Sequence, residues 1–489
     1  MKTKNITLIG SLLFIALAAA SCAGGDGNDS TVTAQGTAGD DTAAVTEAVT
    51  EEPSVFELLP AADFGGEDFM ILINGQKDTQ GDIMTEEEET GDLLHDIVYQ
   101  RNRAVEEKYN VNIVGDSLDY EEVKDTIRLQ VQGGTNDYDL YFSHSSVSSL
   151  ASSGYLYPIN QLPHVDLTQE WWDQDAVEDL SVAEQVFMVT GDISPTSYLS
   201  SSCLVFNKKL FSNNDMEYPY ALAADGKWTI DAFLDMTKGL TQDINGDGAY
   251  DYDKDLFSLT SWGWDSPYSL FYGAGGYLSG KGEDDIPYVN FDIEKLTSIY
   301  DRIYELVIGQ NSNFVTDINE YTNTYACFLN GNAYFCDATL FKIGLFFRDM
   351  EDDFGILPMP KLDEESDYTS LVNLSAPLIV VPRNCDDTER TGLMLEALAT
   401  GAYDMVTPSL FEVVTKSKYV RDEESADMVD LIIRNRVFDP VYIYQFPGYG
   451  CVDGQLKAKS REIASKYESN LKSATKQMEK LIEAYQDME

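Results

Sequence analysis

The stretch FMILING, Phe69–Gly75, decides how the rest of the chain is read. Phe69–Ile73 is a short unbroken apolar run, the pattern of a strand covered on both faces. Asn74 and Gly75 then give a turn signal. Next, Leu93–Tyr109 places Leu94, Val98, Val105 and Tyr109 at mostly helical spacing. Val111–Val114 reads as a second strand. Tyr120–Val131 reads as a helix, with Val123, Ile127 and Val131 four apart on one face. Asp139–Phe142, DLYF, is a third strand. Strands and helices alternating at this rhythm argue for an α/β fold, an open sheet with helices on its faces.

The pattern resumes further along. Leu204–Phe206 is a strand, and Thr229–Thr237 a helix with Thr229 as its N-cap. NAYFCDA (Asn332–Ala338), DFGILPMP (Asp353–Pro360) and APLIVVP (Ala376–Pro382) read as further strands. Ala458–Met488 reads as nearly continuous helix, striped by Ile463, Tyr467, Leu471, Met478, Ile482 and Tyr485. No repeat of solenoid period is present.

The first residues have the layout of a secretory signal. Lys2 and Lys4 precede the apolar run Ile6–Ala20, and the small residues Ala18–Ser21 lead into Cys22. The run is short for a membrane-spanning helix, which needs about 20 such residues. Its end resembles a bacterial lipobox, departing from it at Ala19, where leucine is usual. That resemblance implies a signal peptide over residues 1–22, cleavage before Cys22 and a lipid on its sulfur. Acyl chains contribute about 0.8 kcal/mol per buried CH₂, enough for several chains to hold a protein firmly. Residues 23–55 then form a linker of mostly small and polar residues. Such a composition buries too little surface to offset ordering entropy and reads as a disordered stalk. The expected location is the outer face of the cell membrane, lipid-anchored, extracellular or periplasmic.

A body of this size exceeds one hydrophobic core, so two lobes are expected. The 84 acidic residues against 33 basic ones give a net charge of −51. That excludes a nucleic-acid partner, which needs a basic surface, and disfavours attraction to anionic lipid. The charge reads as a solvated coat that aids solubility. Beyond Cys22, the cysteines at 203, 327, 336, 385 and 451 are odd in number and irregular in spacing. They are not a disulfide framework and read mostly as small buried hydrophobes.

Five segments occur in order: DIVYQRNRAVEEKYNVNI (Asp96–Ile113), NDYDLYFSHSSVSSLASSGYLYPIN (Asn136–Asn160), LVFNKKLF (Leu204–Phe211), GKWTIDAFLDMTK (Gly226–Lys238) and DFGILPMPKLDEESDYTSLVNLSAPLIVVP (Asp353–Pro382). Together, over roughly Phe56–Glu489, they resemble the extracellular solute-binding proteins of bacterial ABC importers, the cluster that includes carbohydrate-binding members. The resemblance implies the two-lobed periplasmic-binding-protein type II fold. Each lobe would have a central mixed sheet flanked by helices, with a ligand cleft between lobes. It places lobe 1 at 56–195 with 361–415, and lobe 2 at 196–360 with 416–489. The hinges would fall near Ser194–Ser201, Leu357–Lys361 and Thr415–Tyr419. It also implies a monomer that closes on a small solute, most readily a sugar or oligosaccharide, and hands it to ABC permease subunits in the membrane. Closure follows because only the closed state makes both sets of contacts.

By the same resemblance, SWGWDSPYSLFYGAGG (Ser261–Gly276) supplies cleft residues, with Trp262, Trp264 and Asp265 foremost. Aromatic rings stack on the apolar faces of sugars, and carboxylates take their hydroxyls. The competing reading makes these rings core of the second lobe. Further candidates lie at carboxyl ends of strands, where open α/β sheets bind ligands. These are Asn74, Gln76 and Lys77 after the first strand, and Ser143, His144 and Ser145 after the third. Tyr198 and Ser200 in a crossing segment, and Asp337 after a second-lobe strand, complete the set. The tandem Trp171 and Trp172 suit either a cleft wall or lobe packing.

The loop DINGDGAYDYDKD (Asp243–Asp255) has an EF-hand-like spacing. Asp243, Asn245, Asp247 and Asp251 fall at positions 1, 3, 5 and 9, with Gly248 at the turn. Ala249 could offer its carbonyl. Lys254 occupies position 12, flanked by Asp253 and Asp255. A structural Ca²⁺ is expected here, and no other cofactor. The alternative is a solvated acidic turn.

No G-x-S-x-G, GxxxxGK[ST] or HExxH motif is present. His95, His144 and His164 are scattered, against a histidine-rich metal site. The expectation is a binder and not an enzyme. The alternatives are a secreted carbohydrate-active hydrolase, whose carboxylate pair such an acidic chain could supply, and a surface adhesion or scaffold lipoprotein.

Overall fold

The computed structural model describes residues 53–75, 80–83, 93–413 and 420–487. The signal peptide, Cys22 and the linker up to residue 52 lie outside the described residues, as do Gln76, Lys77 and the expected hinge at 415–419. In chain order the elements that frame the site are β1 (Glu67–Asn74), α1 (Leu93–Tyr109), β2 (Val111–Leu118), α2 (Tyr120–Gly133) and β3 (Leu140–Ser143). There follow β4 (Ser202–Asn207), α3 (Ile230–Thr237), β5 (Phe257–Trp262), α4 (Ser266–Gly273), β6 (Asn313–Val315), β7 (Ala333–Thr339), β8 (Phe354–Leu357), β9 (Leu378–Val380) and α5 (Ile463–Gln486).

These strands form two mixed sheets, and two short two-stranded pairs stand apart from them. The first has the order β9-β3-β1-β2, and the second β8-β4-β7-β5-β6. In the first, β1 lies parallel to β2 (Phe69 opposite Ile113) and to β3 (Ile71 opposite Leu140). The late strand β9 joins antiparallel, Ile379 opposite Phe142. Phe69, Ile71, Leu72 and Ile73 are fully buried, as an unbroken apolar run demands. In the second sheet β4 runs antiparallel to both neighbours, whereas β5 is parallel to β6 and β7. Trp228, Phe233, Phe211 and Phe206 pack around Phe335 beneath it.

Local chemistry sets the helix ends. Asp119 and Glu122 form a capping box at the start of α2, and Gly134 ends it in the left-handed conformation at φ 65°. Thr229 caps α3, its side chain accepting from Ala232 N. Two buried faces differ from the expectation. On α2 the third inward position is Gln130, not Val131. Its amide donates to Tyr138 O (2.9 Å) and accepts from Tyr138 N (3.0 Å) and the Tyr141 hydroxyl (2.7 Å). On α5, Leu471 is exposed, and Ala474 and Leu481 join Ile463, Tyr467, Met478 and Tyr485 in the buried stripe. A 3.6-residue period mixes steps of four with steps of three, and strict four-spacing drifts off the face.

Among the described residues the chain passes between the sheets on the β3–β4 connection and again on the β8–β9 connection. At the first, the buried Asp82 accepts from Ser194 Oγ (2.5 Å), Thr196 Oγ1 (2.6 Å) and Thr196 N (3.0 Å). Burial pushes its carboxyl up to about 6. At the second, Trp228 Nε1 donates to Pro358 O (3.0 Å) and Ile230 N to Lys361 O (2.8 Å). Further along the β8–β9 connection, Asn373 N donates to Ser200 O (3.0 Å), joining the two passages. Cys203, Cys327, Cys336 and Cys451 are buried free thiols, and Cys385 is partly buried. Among the described residues no helix is long and apolar enough to cross a membrane.

Candidate functional site

A groove opens between the two sheets. It consists of two cavities of about 400 and 550 Å³ that share Trp262, Asp265, Ile318, Asn373 and Ser375 as walls. The inner chamber is closed by Tyr321, Tyr325, Phe341, Lys342, Thr339 and Ser200. The outer chamber takes Tyr120, Glu121 and Lys124 from the first turns of α2, and His144, Ser146 and Ser149 from beyond β3. Its far wall is Trp264, Ile443, Gln445 and Tyr449. The first sheet therefore supplies one wall, the second sheet the other, and the Asn373–Ser375 passage the floor.

The second wall is built on one loop. Trp262 ends β5, and Ser266 begins α4. Between them Gly263 N donates to Val315 O (2.7 Å). A Cβ at Gly263 would stand 3.2 Å from Phe314 and from that same carbonyl, so the loop hugs β6. The half-buried Trp262 ring tilts against Tyr321 at 5.7 Å between centroids. Trp264 is 46% exposed, unusual for so large an apolar ring. The Lys457 ammonium sits 3.6 Å from its centroid, a cation–π contact. Asp453 holds that ammonium at 3.0 Å and also accepts the Tyr268 hydroxyl (2.6 Å). Asp265 is hydrogen-bonded by Asn373, which ties the loop to the floor. Burial still raises its carboxyl above the ordinary range, against the pull of Lys342 and Lys457.

On the first wall, His144 Nδ1 accepts from Ser146 N (3.0 Å) and the ring packs on Tyr120 at 4.9 Å. Burial pushes the imidazole down to about 4, so it is neutral at physiological pH. Glu121 and Lys124 pair at 2.6 Å. The charged side chains lining the two chambers are thus two carboxylates, Glu121 and Asp265, and two ammoniums, Lys124 and Lys342. In a chain of net charge −51 the groove is locally balanced. Trp262 Nε1 and Ser146 Oγ are buried without a hydrogen-bond partner among the described residues. Such groups in a groove wall are open to a ligand or water.

Of the residues singled out in the sequence, the groove brings together Trp262, Trp264, Asp265, His144 and Ser200. The Ser200 hydroxyl is already given to Thr196 O (2.8 Å). The others are placed elsewhere. Ser143 and Ser145 are buried, and the serines that reach the groove are Ser146, Ser148 and Ser149. The turn after β3 winds into a short helix, which rotates the wall by one residue. Tyr198 is buried with its hydroxyl on Asp192 (2.6 Å) and its ring under Arg436 (4.0 Å), so it packs the passage. Asn74 is buried at the end of β1 and lines neither chamber. Asp337 lies beneath the inner chamber and not in its wall. Trp171 and Trp172 are buried in the first sheet's core, both indole N–H groups on Glu396 (3.0 and 3.3 Å).

In the acidic loop the side chains turn onto their own backbone. Asp243 accepts from Gly246 N and Gly248 N (2.7 and 2.8 Å), Asn245 from Asp247 N (2.9 Å) and Asp247 from Ala249 N (2.8 Å). The buried Asp255 accepts from Ile244 N and Asp251 N (2.9 and 2.7 Å). Lys254 pairs with Asp251 at 2.5 Å, and Asp253 is exposed. Among the described residues no three His, Cys, Asp or Glu side chains gather as a metal site.

Sequence reading missed Tyr321, Tyr325, Phe341 and Lys342, together with Tyr120, Lys124, Asn373 and Ser375. The α2 pair had a usable signal: Tyr120 opens a helix directly after a strand, where the carboxyl-end rule points. The rest are assembled by tertiary packing, with no local motif.

A family model described as bacterial extracellular solute-binding protein matches residues 101–402. No curated protein matches the chain. Among solved structures, the chain is similar to the GacH receptor of Streptomyces glaucescens, studied unliganded and with acarbose. The TM-score is 0.50 at 16% identity, covering 86% of this chain and 98% of that one. It is similar to an ABC substrate-binding protein from Listeria monocytogenes in complex with cycloalternan, at TM-score 0.53 and 13% identity, covering 85% and 99%. It is also similar to a maltose-binding periplasmic protein from Listeria monocytogenes in complex with maltose, at 0.51 and 13%, covering 86% and 99%. At these identities the likeness establishes the two-lobed fold.

Proposed function

The chain belongs to the bacterial extracellular solute-binding proteins, and from that premise we propose that it captures a neutral carbohydrate, an oligosaccharide by preference, in the groove between its sheets. The observation that carries this reading is the make-up of the walls. Aromatic rings stand on the second wall at Trp262, Trp264, Tyr321 and Phe341, hydroxyl and amide groups line the rest, and the charges cancel. Rings stack on C–H faces, while Asn373, Asp265 and the serines take hydroxyls. A charged solute would leave one carboxylate or ammonium unmatched in a half-buried site. The three structural neighbours are described with acarbose, cycloalternan and maltose, which supports the same class.

Closure supplies the mechanism. Contacts to Tyr120 and His144 on one side and to Trp264 and Tyr321 on the other are made together only when the lobes approach. The lobe limits are proposed as 56–195 with 361–415 and 196–360 with 416–489, and the closed monomer would be the form an ABC permease receives. No bond in the solute changes. A thermal-shift screen against mono- and oligosaccharides tests the reading, because a ligand of the folded state raises its apparent stability. Product analysis of the same mixtures separates a binder from a hydrolase, and an adhesin responds to none of them.

Two attributes are proposed from sequence. Cys22 would carry the lipid anchor and residues 23–55 the tether. Incorporation of labelled fatty acid, lost in Cys22→Ala, tests this. The loop Asp243–Asp255 would take Ca²⁺, its carboxylates exchanging backbone N–H partners for the ion. Its support is the spacing of the acidic residues and the left-handed Gly246 and Gly248 (φ 71° and 83°).

A further inference from the structure

We propose that Ser266 and Asp337 are positioning residues for the groove: from beneath it they fix the loop that presents Trp262, Trp264 and Asp265 to the solute. This rests on the groove being the binding site. Asp337 is on β7, two residues before Thr339, which lines the inner chamber. Alternation along a strand puts both on one face, with Asp337 one step deeper. It is 6% exposed. Its Oδ1 accepts from Ser266 Oγ at 3.0 Å, and Ser266 Oγ in turn accepts from Trp262 N at 2.8 Å.

One hydroxyl thus joins the last residue of β5, the first residue of α4 and the neighbouring strand β7. The span it closes holds the three groove residues and Gly263. Ser266 itself is 1% exposed, so neither of its bonds competes with water. The remaining carboxyl oxygen, Oδ2, is buried without a partner among the described residues. Asp337 is surrounded by Asp265, Tyr325, Cys336 and Cys203, none of them cationic. In that setting an ionised carboxylate is disfavoured, and burial raises its carboxyl well above the ordinary range. Oδ1 is the acceptor that Ser266 uses. An asparagine has the same shape, the same Oδ1 acceptor and no charge.

The test uses the full chain with 5-fluorotryptophan, the Trp262 and Trp264 signals assigned by Trp→Phe variants, and a maltotriose titration alongside. Ser266→Ala and Asp337→Leu are expected to shift or broaden both ¹⁹F signals and to weaken maltotriose binding about tenfold. Asp337→Asn and Ser266→Thr are expected to restore both. Unchanged signals in Ser266→Ala would overturn the proposal, as would Asp337→Asn being as damaging as Asp337→Leu. Ser266→Ala removes a single oxygen, so it decides the matter even where Asp337→Leu does not fold. Should the unaltered protein bind no sugar, the carbohydrate reading fails, and the ¹⁹F signals still decide the positioning role.

Discussion

Two regions of this protein concentrate tryptophan, and they use it in opposite ways. Trp171 and Trp172 lie inside the first sheet's core, with both indole N–H groups on one buried carboxylate, Glu396. Trp262 and Trp264 stand on a loop beyond the end of β5, one half-buried and the other nearly half exposed. Composition does not separate them. Their supports do: the first pair is held by its N–H groups in a closed core. The second pair is held from behind, by Ser266 and by the Lys457–Asp453 pair, which leaves ring surface to the groove. A ring whose polar handle is already matched inside a core serves stability. A ring braced at its backbone or by one cation keeps area for a ligand.

Trp172→Ala has the largest expected effect, a loss of about 3–5 kcal/mol in urea unfolding, because a fully buried ring leaves a cavity and Glu396 Oε2 loses its indole donor. Affinity of the surviving folded fraction should be unchanged. Trp264→Ala is expected to weaken oligosaccharide binding about tenfold, ~1.4 kcal/mol by calorimetry, with unfolding free energy within about 0.5 kcal/mol of the parent. If Trp264→Ala instead unfolds the protein and spares affinity, that ring belongs to the core.

Glu396 sharpens the contrast through pH. Burial raises its carboxyl to about 7 from an ordinary 4.5, against the two indole N–H bonds. Folding therefore favours the proton. The stability this gives is complete below pH 4.5 and is lost as pH rises through 7. The indole N–H resonances of Trp171 and Trp172 should titrate with a midpoint near 7, and that of Trp264 should not follow. Chelation gives the smallest expected effect. If the acidic loop holds Ca²⁺, EDTA lowers the melting temperature by a few degrees and leaves Trp264-dependent binding intact. No shift retires the calcium proposal.

Much of the fold was legible because its cause is local. The continuous apolar run at Phe69–Ile73 implied burial on both faces, and the N-cap at Thr229 is a two-residue event. Errors arose where a choice of one residue depends on the neighbour packed against it. Gln130 is buried because Tyr138 and Tyr141 satisfy its amide, which no periodicity reveals. The site was legible where aromatic residues break the strand pattern, at Trp262–Asp265, and at single positions beside strands, His144 and Ser200. Lys342, Tyr325 and Asn373 come from three separate elements, and only the folded chain brings them together. Tyr198 and Asp337 show the converse, polar residues beside the groove that face inward to hold it.

The central claim is that a solute gripped from both walls draws the two lobes together. Fluorophores at the exposed Leu129 on α2 and Leu345 on the second-sheet side report the distance across the groove. Energy transfer between them should rise saturably as maltotriose is added, with the sugar recovered intact, and Trp264→Ala should move the midpoint to higher concentration. Transfer that stays constant while the sugar binds would contradict the account.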